Sequence, residues 1–328
     1  MTSRRFVLIM ALWTTVLCGL AGAINFAVDP YDRLGRNRLG IYVSRERDAK
    51  PKLARSYPHD ALLLGSSMVT FIDPASLSGH RFFNAAFSAA LPEEMEEYLR
   101  LHGKKARFVM IGLDFFMMNE RQFPLAGGTF DNGEADHGIT ARKVAGRLAY
   151  VFSIDVLVNS VRTVTAAALG RPPFVLPNGQ RNPQPFLERH RRLTGPRYDD
   201  VLRTLRAEHF HRVRYSQARL DSLRSMKALL EAREIPYVAF INPMNQAVWD
   251  LLETLPARKD FQRFRRDVRE IFPEMVDFSD GGFADPGFYF RQDPYHYLPA
   301  TGTTLANGIA APTRGRQQQA EMRCPLCQ

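Results

Sequence analysis

Cysteine is scarce in this 328-residue sequence, which contains only Cys18, Cys324 and Cys327. Three cysteines are too few for a disulfide framework, and Cys18 lies inside an apolar run. Cys324 and Cys327 could form one bridge in an oxidising compartment or supply half of a zinc site, but no second Cys/His pair lies near them. The sequence therefore predicts neither a bound metal nor another cofactor.

The sequence also lacks an internal repeat and a set of histidines typical of a metal centre. His209 and His211 alternate as they would on one face of a strand. Without the companions that metal ligation requires, we expect them to be surface residues.

The charge is strongly unbalanced, with 44 Lys and Arg against 34 Asp and Glu and a net charge of +10. Between residues 181 and 233, however, the arginines are interspersed with acidic residues, as on solvated helices. We therefore expect no nucleic-acid partner. Outside the cytoplasm the same charge would meet anionic lipid or an acidic polysaccharide.

A long apolar run near the N-terminus predicts a membrane anchor. Residues 6–28 contain no charged side chain, follow Arg4 and Arg5, and are enough to cross a hydrocarbon core, which takes about 20 residues. The positive-inside rule then places residues 1–5 in the cytoplasm and the main domain in the periplasm. A cleaved signal peptide is the alternative, with residues 21–23 as its small-residue cleavage site. We favour an uncleaved single-pass anchor because the apolar run continues to Val28.

The remainder predicts one α/β domain at residues 57–311. A polar membrane-proximal linker at 29–56 precedes it, and a disordered tail at 312–328 follows it. Apolar strands are predicted at residues 61–64, 81–86, 108–113, 237–241 and 275–278. Helical patterns alternate with them, and this alternation predicts a parallel sheet. Residues 116–198 predict a helical insertion, which would serve as a lid, as an acceptor-binding surface or as a peripheral helical layer.

Two short motifs predict a serine nucleophile with its base. Ser67 follows the buried strand at 61–64 and Gly65, at the sheet edge where open α/β folds bind ligands. His296 lies three positions after Asp293, so the carboxylate can accept the Nδ1 proton while Nε2 faces a serine hydroxyl. Ser66 is the alternative nucleophile. Asn242 follows the strand at 237–241, and we expect it in a substrate-contacting loop.

These motifs resemble the SGNH/GDSL superfamily of serine esterases and acyltransferases. The resemblance is to its membrane-anchored branch, which includes D-alanyl transfer proteins of teichoic acids and SGNH-like proteins of polysaccharide O-acetylation. Residues 65–67 resemble the nucleophile block, 84–89 the second block and 112–115 the third block, and Asp293 with His296 resembles the last. The resemblance implies a three-layer, flavodoxin-like parallel sheet with helices on both faces, preceded by one transmembrane helix.

Two positions depart from the family pattern in the expected oxyanion hole. Ala89 stands where the second block has glycine, and it keeps a backbone N–H. Asp114 stands where the third block has asparagine, and an ionised carboxylate cannot donate a hydrogen bond to the oxyanion. A protonated Asp114, or Asn84 or Asn119 in its place, would restore a donor.

The resemblance implies a serine O-acyltransferase or carbohydrate esterase of the cell envelope. Its partners would be a polysaccharide or other acyl acceptor, the membrane and a membrane-bound O-acyltransferase. The departures at Ala89 and Asp114 leave an alternative open, a non-catalytic glycan-binding or scaffold subunit on the same fold.

Overall fold

The computed structural model describes residues 3–41, 46–122, 141–192 and 197–310. The chain divides into two compact units, the first comprising residues 1–50 and 127–176 and the second residues 51–126 and 177–328. The predicted tail at 312–328, with Cys324 and Cys327, lies outside the described residues.

The described residues form eleven α-helices and five strands. The helices are α1 (Ser3–Val28), α2 (Glu46–Ser56), α3 (Pro92–His102), α4 (Ala141–Val151), α5 (Ile154–Ala168), α6 (Gln184–Arg192), α7 (Arg197–Thr204), α8 (Gln217–Ala232), α9 (Gln246–Glu253), α10 (Ala257–Ile271) and α11 (Pro299–Ala310). The strands are β1 (Ala61–Leu64), β2 (Phe82–Asn84), β3 (Phe108–Leu113), β4 (Tyr237–Ile241) and β5 (Val276–Asp277).

The five strands of the second unit form one parallel sheet in the order β2-β1-β3-β4-β5. Strands β1, β3 and β4 have the predicted bounds, whereas β2 and β5 are shorter than predicted. The central strands are apolar without alternation and almost fully buried, as expected where both faces of a parallel sheet are covered. The α/β class and the parallel sheet are confirmed.

The strand order of the sheet reverses direction at β1. β1 is hydrogen-bonded to β2 on one side and to β3 on the other, so the chain moves outward from β1 to β2 and then crosses back over β1 to reach β3. In doubly wound sheets ligands bind beside the carboxyl ends of the strands at such a reversal. Ser67 follows β1 and Asp114 follows β3, and both therefore lie at this point.

The first unit contains α1, α4 and α5. α1 is long and apolar enough to cross a membrane, and α4 and α5 pass the same test only as one pair, bent by 59° between them. Tyr31 lies in the predicted linker and is buried against Tyr150 and Val156. This part of the linker therefore packs against residues more than 100 positions away in the sequence. α2 also falls within that linker, and sequence pattern did not indicate it.

The residues of the predicted insertion at 116–198 are divided between the two units. Residues 127–176, which include α4 and α5, group with α1, whereas the segment from Pro177 onward groups with the sheet.

Candidate active site

The turn after β1 positions Ser67. Gly65 has a φ of +153°, and a Cβ there would lie 2.6 Å from the Val69 side chain and 3.0 Å from the Gly112 carbonyl oxygen. Only glycine fits this approach of the turn to β3. Beyond it, the Val69 N–H donates to the Ser66 carbonyl at 3.0 Å and the Thr70 hydroxyl to the Ser67 carbonyl at 2.7 Å. The turn therefore holds the Ser67 backbone firmly.

A serine, a histidine and an aspartate form one hydrogen-bonded chain. His296 Nε2 lies 2.9 Å from Ser67 Oγ, and His296 Nδ1 lies 2.7 Å from Asp293 Oδ2. The other carboxylate oxygen of Asp293 accepts from the backbone N–H groups of Tyr295 at 2.9 Å and His296 at 3.2 Å. The structure thus brings the three predicted catalytic residues together in the order that nucleophilic catalysis requires.

Asp293 stays ionised in this arrangement. Burial by itself would raise the pKa of its carboxyl, but the His296 charge and the hydrogen bonds from His296 and the backbone lower it to about 2. An ionised carboxylate keeps the imidazole proton on Nδ1 and leaves Nε2 free to accept a proton from Ser67.

Ser66 and Asp114 lie behind the nucleophile in a buried network. The Ser66 hydroxyl donates a short hydrogen bond to Asp114 Oδ2, and Asn242 Nδ2 donates to Asp114 Oδ1 at 3.1 Å. Asn242 Oδ1 in turn accepts from the Tyr297 hydroxyl at 3.0 Å. Because Ser66 is fully buried and engaged with Asp114, it is not placed to attack a substrate in the pocket.

Burial raises the pKa of Asp114 to about 6, and the hydrogen bonds from Ser66 and Asn242 oppose that rise. At neutral pH the carboxylate is therefore ionised and accepts from both neighbours. In mildly acidic solution it takes up a proton. Neither state gives Asp114 a place in the wall of the pocket around Ser67.

The remaining predicted oxyanion and substrate residues separate into two groups. Asn84 is fully buried, and its side-chain amide donates to the carbonyls of Val69 and Ile72 at 2.9 and 3.0 Å. Asn84 thus fastens the chain after the nucleophile, and Asn242, also buried, supports Asp114. Ala89 alone of this set lines the pocket, with a φ of +48° that glycine would adopt more easily. The structure does not bring Asn84, Asp114 or Asn242 into the pocket wall.

The pocket around Ser67 has a cavity volume of about 780 Å³. Its wall includes several charged or polar side chains that sequence pattern did not indicate, among them Arg181 and His209. Arg181 is buried, donates a short hydrogen bond to the Ser88 hydroxyl, and has its guanidinium 5.2 Å from the centre of the Phe71 ring. Arg181 lies more than 90 residues from its partners in sequence, and the pattern of scattered arginines gave no signal for it.

His209 differs from its expected place on the surface. Residues 205–210 form a π-helix rather than a strand, which leaves His211 exposed and turns His209 into the pocket wall. The His209 ring stacks on Tyr295 at 6.1 Å and meets Phe116 edge-on at 5.1 Å. Burial, and to a smaller extent the His296 charge, lower the pKa of His209 to about 4. Its imidazole is therefore neutral, and its buried Nδ1 has no hydrogen-bond partner among the described residues.

Comparisons with known proteins do not assign the chain to a family. No protein-family model matches it, and no curated protein matches it significantly. The fold and site define a class by themselves. That class is an α/β protein with a carboxylate, an imidazole and a hydroxyl in hydrogen-bonded series at the carboxyl edge of a parallel sheet.

Proposed function

We propose that this protein is a membrane-anchored, extracytoplasmic SGNH-like serine acyltransferase or esterase, acting on O-acyl groups of an envelope or secreted polysaccharide. The observation that carries the proposal is the series Ser67–His296–Asp293, with atoms 2.9 and 2.7 Å apart beside an open pocket. The resemblance to SGNH proteins further implies a three-layer domain, with α1 as a single-pass anchor whose N-terminus is cytoplasmic.

The first half of the reaction forms an acyl-enzyme. Ser67 Oγ attacks the acyl carbonyl while His296 Nε2 takes the hydroxyl proton, and Asp293 stabilises the resulting imidazolium. The tetrahedral intermediate then collapses, the bond to the donor oxygen breaks, and His296 returns the proton to that leaving oxygen. The acyl group remains esterified to Ser67.

The second half transfers the acyl group. His296 takes a proton from a sugar hydroxyl or from water, and the oxygen attacks the Ser67 ester. Collapse breaks the bond to Ser67 Oγ, which regains its proton from His296. Hydrolysis and transfer differ only in which oxygen enters, and hence in how well the pocket holds a sugar hydroxyl against water.

The oxyanion in both halves would be stabilised by the backbone N–H groups of Ser67 and Ala89. Asp114 contributes no donor because both its oxygens accept from neighbours. One missing donor typically lowers turnover about 10²- to 10³-fold, so we expect a slow enzyme.

The test is covalent labelling of Ser67. A fluorophosphonate probe should label the full chain at Ser67, and Ser67→Ala and His296→Gln should abolish labelling and acyl transfer. Label mapped to Ser66, or activity retained in Ser67→Ala, would overturn the assignment.

Asp114 at the third-block position favours a second candidate, a non-catalytic glycan-binding or scaffold subunit of a polysaccharide-modification complex. It predicts glycan binding that Ser67→Ala leaves unchanged and no reaction with the probe. Labelling that depends on His296 would exclude it.

A further inference from the structure

The helical pair α4–α5 of the first unit carries an apolar surface that none of the described residues covers. Ile154 is 79% exposed and Phe152 55% exposed, and the other members of this surface are Val144, Leu148, Val158, Val161, Val164 and Leu169. A soluble protein rarely exposes so long a row of large apolar side chains without a partner. The surface therefore calls for an apolar neighbour.

The same pair packs against the C-terminal part of α1. A Cβ at Gly22 would lie 2.8 Å from the Phe152 ring and 3.4 Å from the Val151 side chain, so glycine lets the two elements approach closely. Small residues at close contacts are typical of helices that associate within membranes. The exposed surface of α4–α5 is thus joined directly to the helix that is apolar enough to cross a bilayer.

The backbone carbonyls at the break between α4 and α5 accept hydrogen bonds from a side chain of α1. Asn25 of α1 is fully buried, and its Nδ2 donates to the carbonyls of Val151 at 2.7 Å and Ser153 at 3.0 Å. Asn25 Oδ1 accepts from the Ser160 hydroxyl at 3.0 Å. In lipid an interrupted helix needs such internal partners, because no water is present to donate hydrogen bonds to its carbonyls.

The geometry fits a position in the interface rather than a second crossing. α5 alone, with 15 residues and a length of about 22 Å, is too short for the roughly 30 Å hydrocarbon core. A single crossing by the bent pair α4–α5 is also excluded, because strands before and after the pair form one sheet and would then lie on opposite sides of the bilayer. Arg162 is exposed and lies 3.5 Å from Asn159, where its long side chain can reach the headgroups. Asp155 is held by the Tyr31 hydroxyl at 3.1 Å.

We propose that α4–α5 lies embedded in the phospholipid interface beside the C-terminal end of α1, as a second membrane contact that does not span the bilayer. The occupant of the exposed surface is lipid. This inference concerns the first unit alone and does not depend on the chemistry of Ser67.

The test uses the full chain in phosphatidylcholine–phosphatidylglycerol vesicles, with its three cysteines replaced and one spin label introduced at a time. Labels at Val161 and Leu148 probe α4–α5, a label at Leu12 of α1 provides the lipid reference, and a label at exposed Arg224 of α8 provides the aqueous reference. Power saturation compares collision with oxygen, which partitions into lipid, and with a water-soluble nickel chelate. Two sites on α4–α5 guard against one label disturbing the fold.

We expect the oxygen-to-nickel ratio at Val161 and Leu148 to approach that at Leu12 and to exceed severalfold that at Arg224. Ratios equal to that at Arg224 would show a water-facing surface and overturn the proposal. Low collision with both reagents would also overturn it, because it would show that a second copy or another protein covers the surface. An aqueous signal at Leu12 would also overturn the proposal, because α1 would then provide no first membrane contact beside α4–α5.

Discussion

Replacing Asp114 by asparagine should stabilise the protein at neutral pH and flatten its dependence on pH. The unfolded carboxyl loses its proton near pH 3.8, whereas the folded one keeps it up to about pH 6. Between these values the folded state binds more protons than the unfolded state. The contribution of Asp114 to the free energy of unfolding is therefore fully present below about pH 4 and falls as the pH rises to 6. One pKa unit corresponds to about 1.4 kcal/mol, and the Asp114 carboxylate therefore costs about 3 kcal/mol above pH 6.

Asparagine carries no charge and so removes the cost of the buried carboxylate. It introduces a smaller cost, because it changes the hydrogen bonds around it. The amide oxygen can still accept from Asn242, and the Ser66 hydroxyl can reverse and accept from the new amide. Disturbing these hydrogen bonds costs about 1 kcal/mol, which leaves a gain of about 2 kcal/mol at pH 7. For a domain of this size the unfolding midpoint should rise by about 4–8 °C.

Thermal unfolding of the full chain in detergent between pH 4 and 8 measures this gain. Asp114→Ala is the matched control, since it removes the same titration but also removes the hydrogen bonds that Ser66 and Asn242 donate to the carboxylate. Its profile should be equally flat, with a midpoint below that of Asp114→Asn. If the wild type and Asp114→Asn lose stability in parallel from pH 4 to 6, Asp114 does not titrate there and the reasoning is refuted.

Three further predictions concern the site. Asp293→Asn should lower acyl transfer about 10³- to 10⁴-fold at pH 7, since the imidazole loses its fixed tautomer; steady-state rates measure this, and an unchanged rate would exclude Asp293 from the series. His209→Phe keeps the ring stack on Tyr295 but removes both ring nitrogens. It should raise KM for a neutral oligosaccharide acceptor about tenfold, which corresponds to the loss of one hydrogen bond. Exposed His211→Phe is its control, and equal KM values in both variants would contradict a role for His209 in binding. Asn84→Ala should lower the free energy of unfolding by about 2–4 kcal/mol, because several buried backbone groups lose their hydrogen-bond partner. Chemical denaturation tests this. A loss under about 1 kcal/mol would show that the turn after Ser67 is stable without Asn84.

The sheet could be predicted well because its signals are local. β1, β3 and β4 are short apolar runs with turn residues at their ends, and their bounds follow from the residues themselves. β2 and β5 are edge strands whose ends depend on pairing with a neighbour, and both came out shorter than their apolar patterns.

The site divides in a similar way between local and distant causes. Asp293 and His296 are three residues apart, and Ser67 follows a recognisable strand-to-turn break, so pattern alone placed them at one sheet edge. The direction in which Asp114 and Asn84 point could not be predicted, because it depends on hydrogen-bond partners far away in sequence. His209 was missed because an extra residue in one helical turn changes which side chain faces inward, and single-sequence patterns do not show a π-helix.

The separation of 229 positions between Ser67 and His296 in the sequence has a consequence for biogenesis. β1 and its turn are translated early, but His296 is translated only after the last strand, so Ser67 of a nascent polypeptide has no imidazole partner for most of synthesis. Under the proposed function, Ser67 would become reactive only once the second unit has folded around the loop that carries His296. A fluorophosphonate would then count finished molecules rather than synthesised ones, which makes it a reporter of maturation as well as of chemistry.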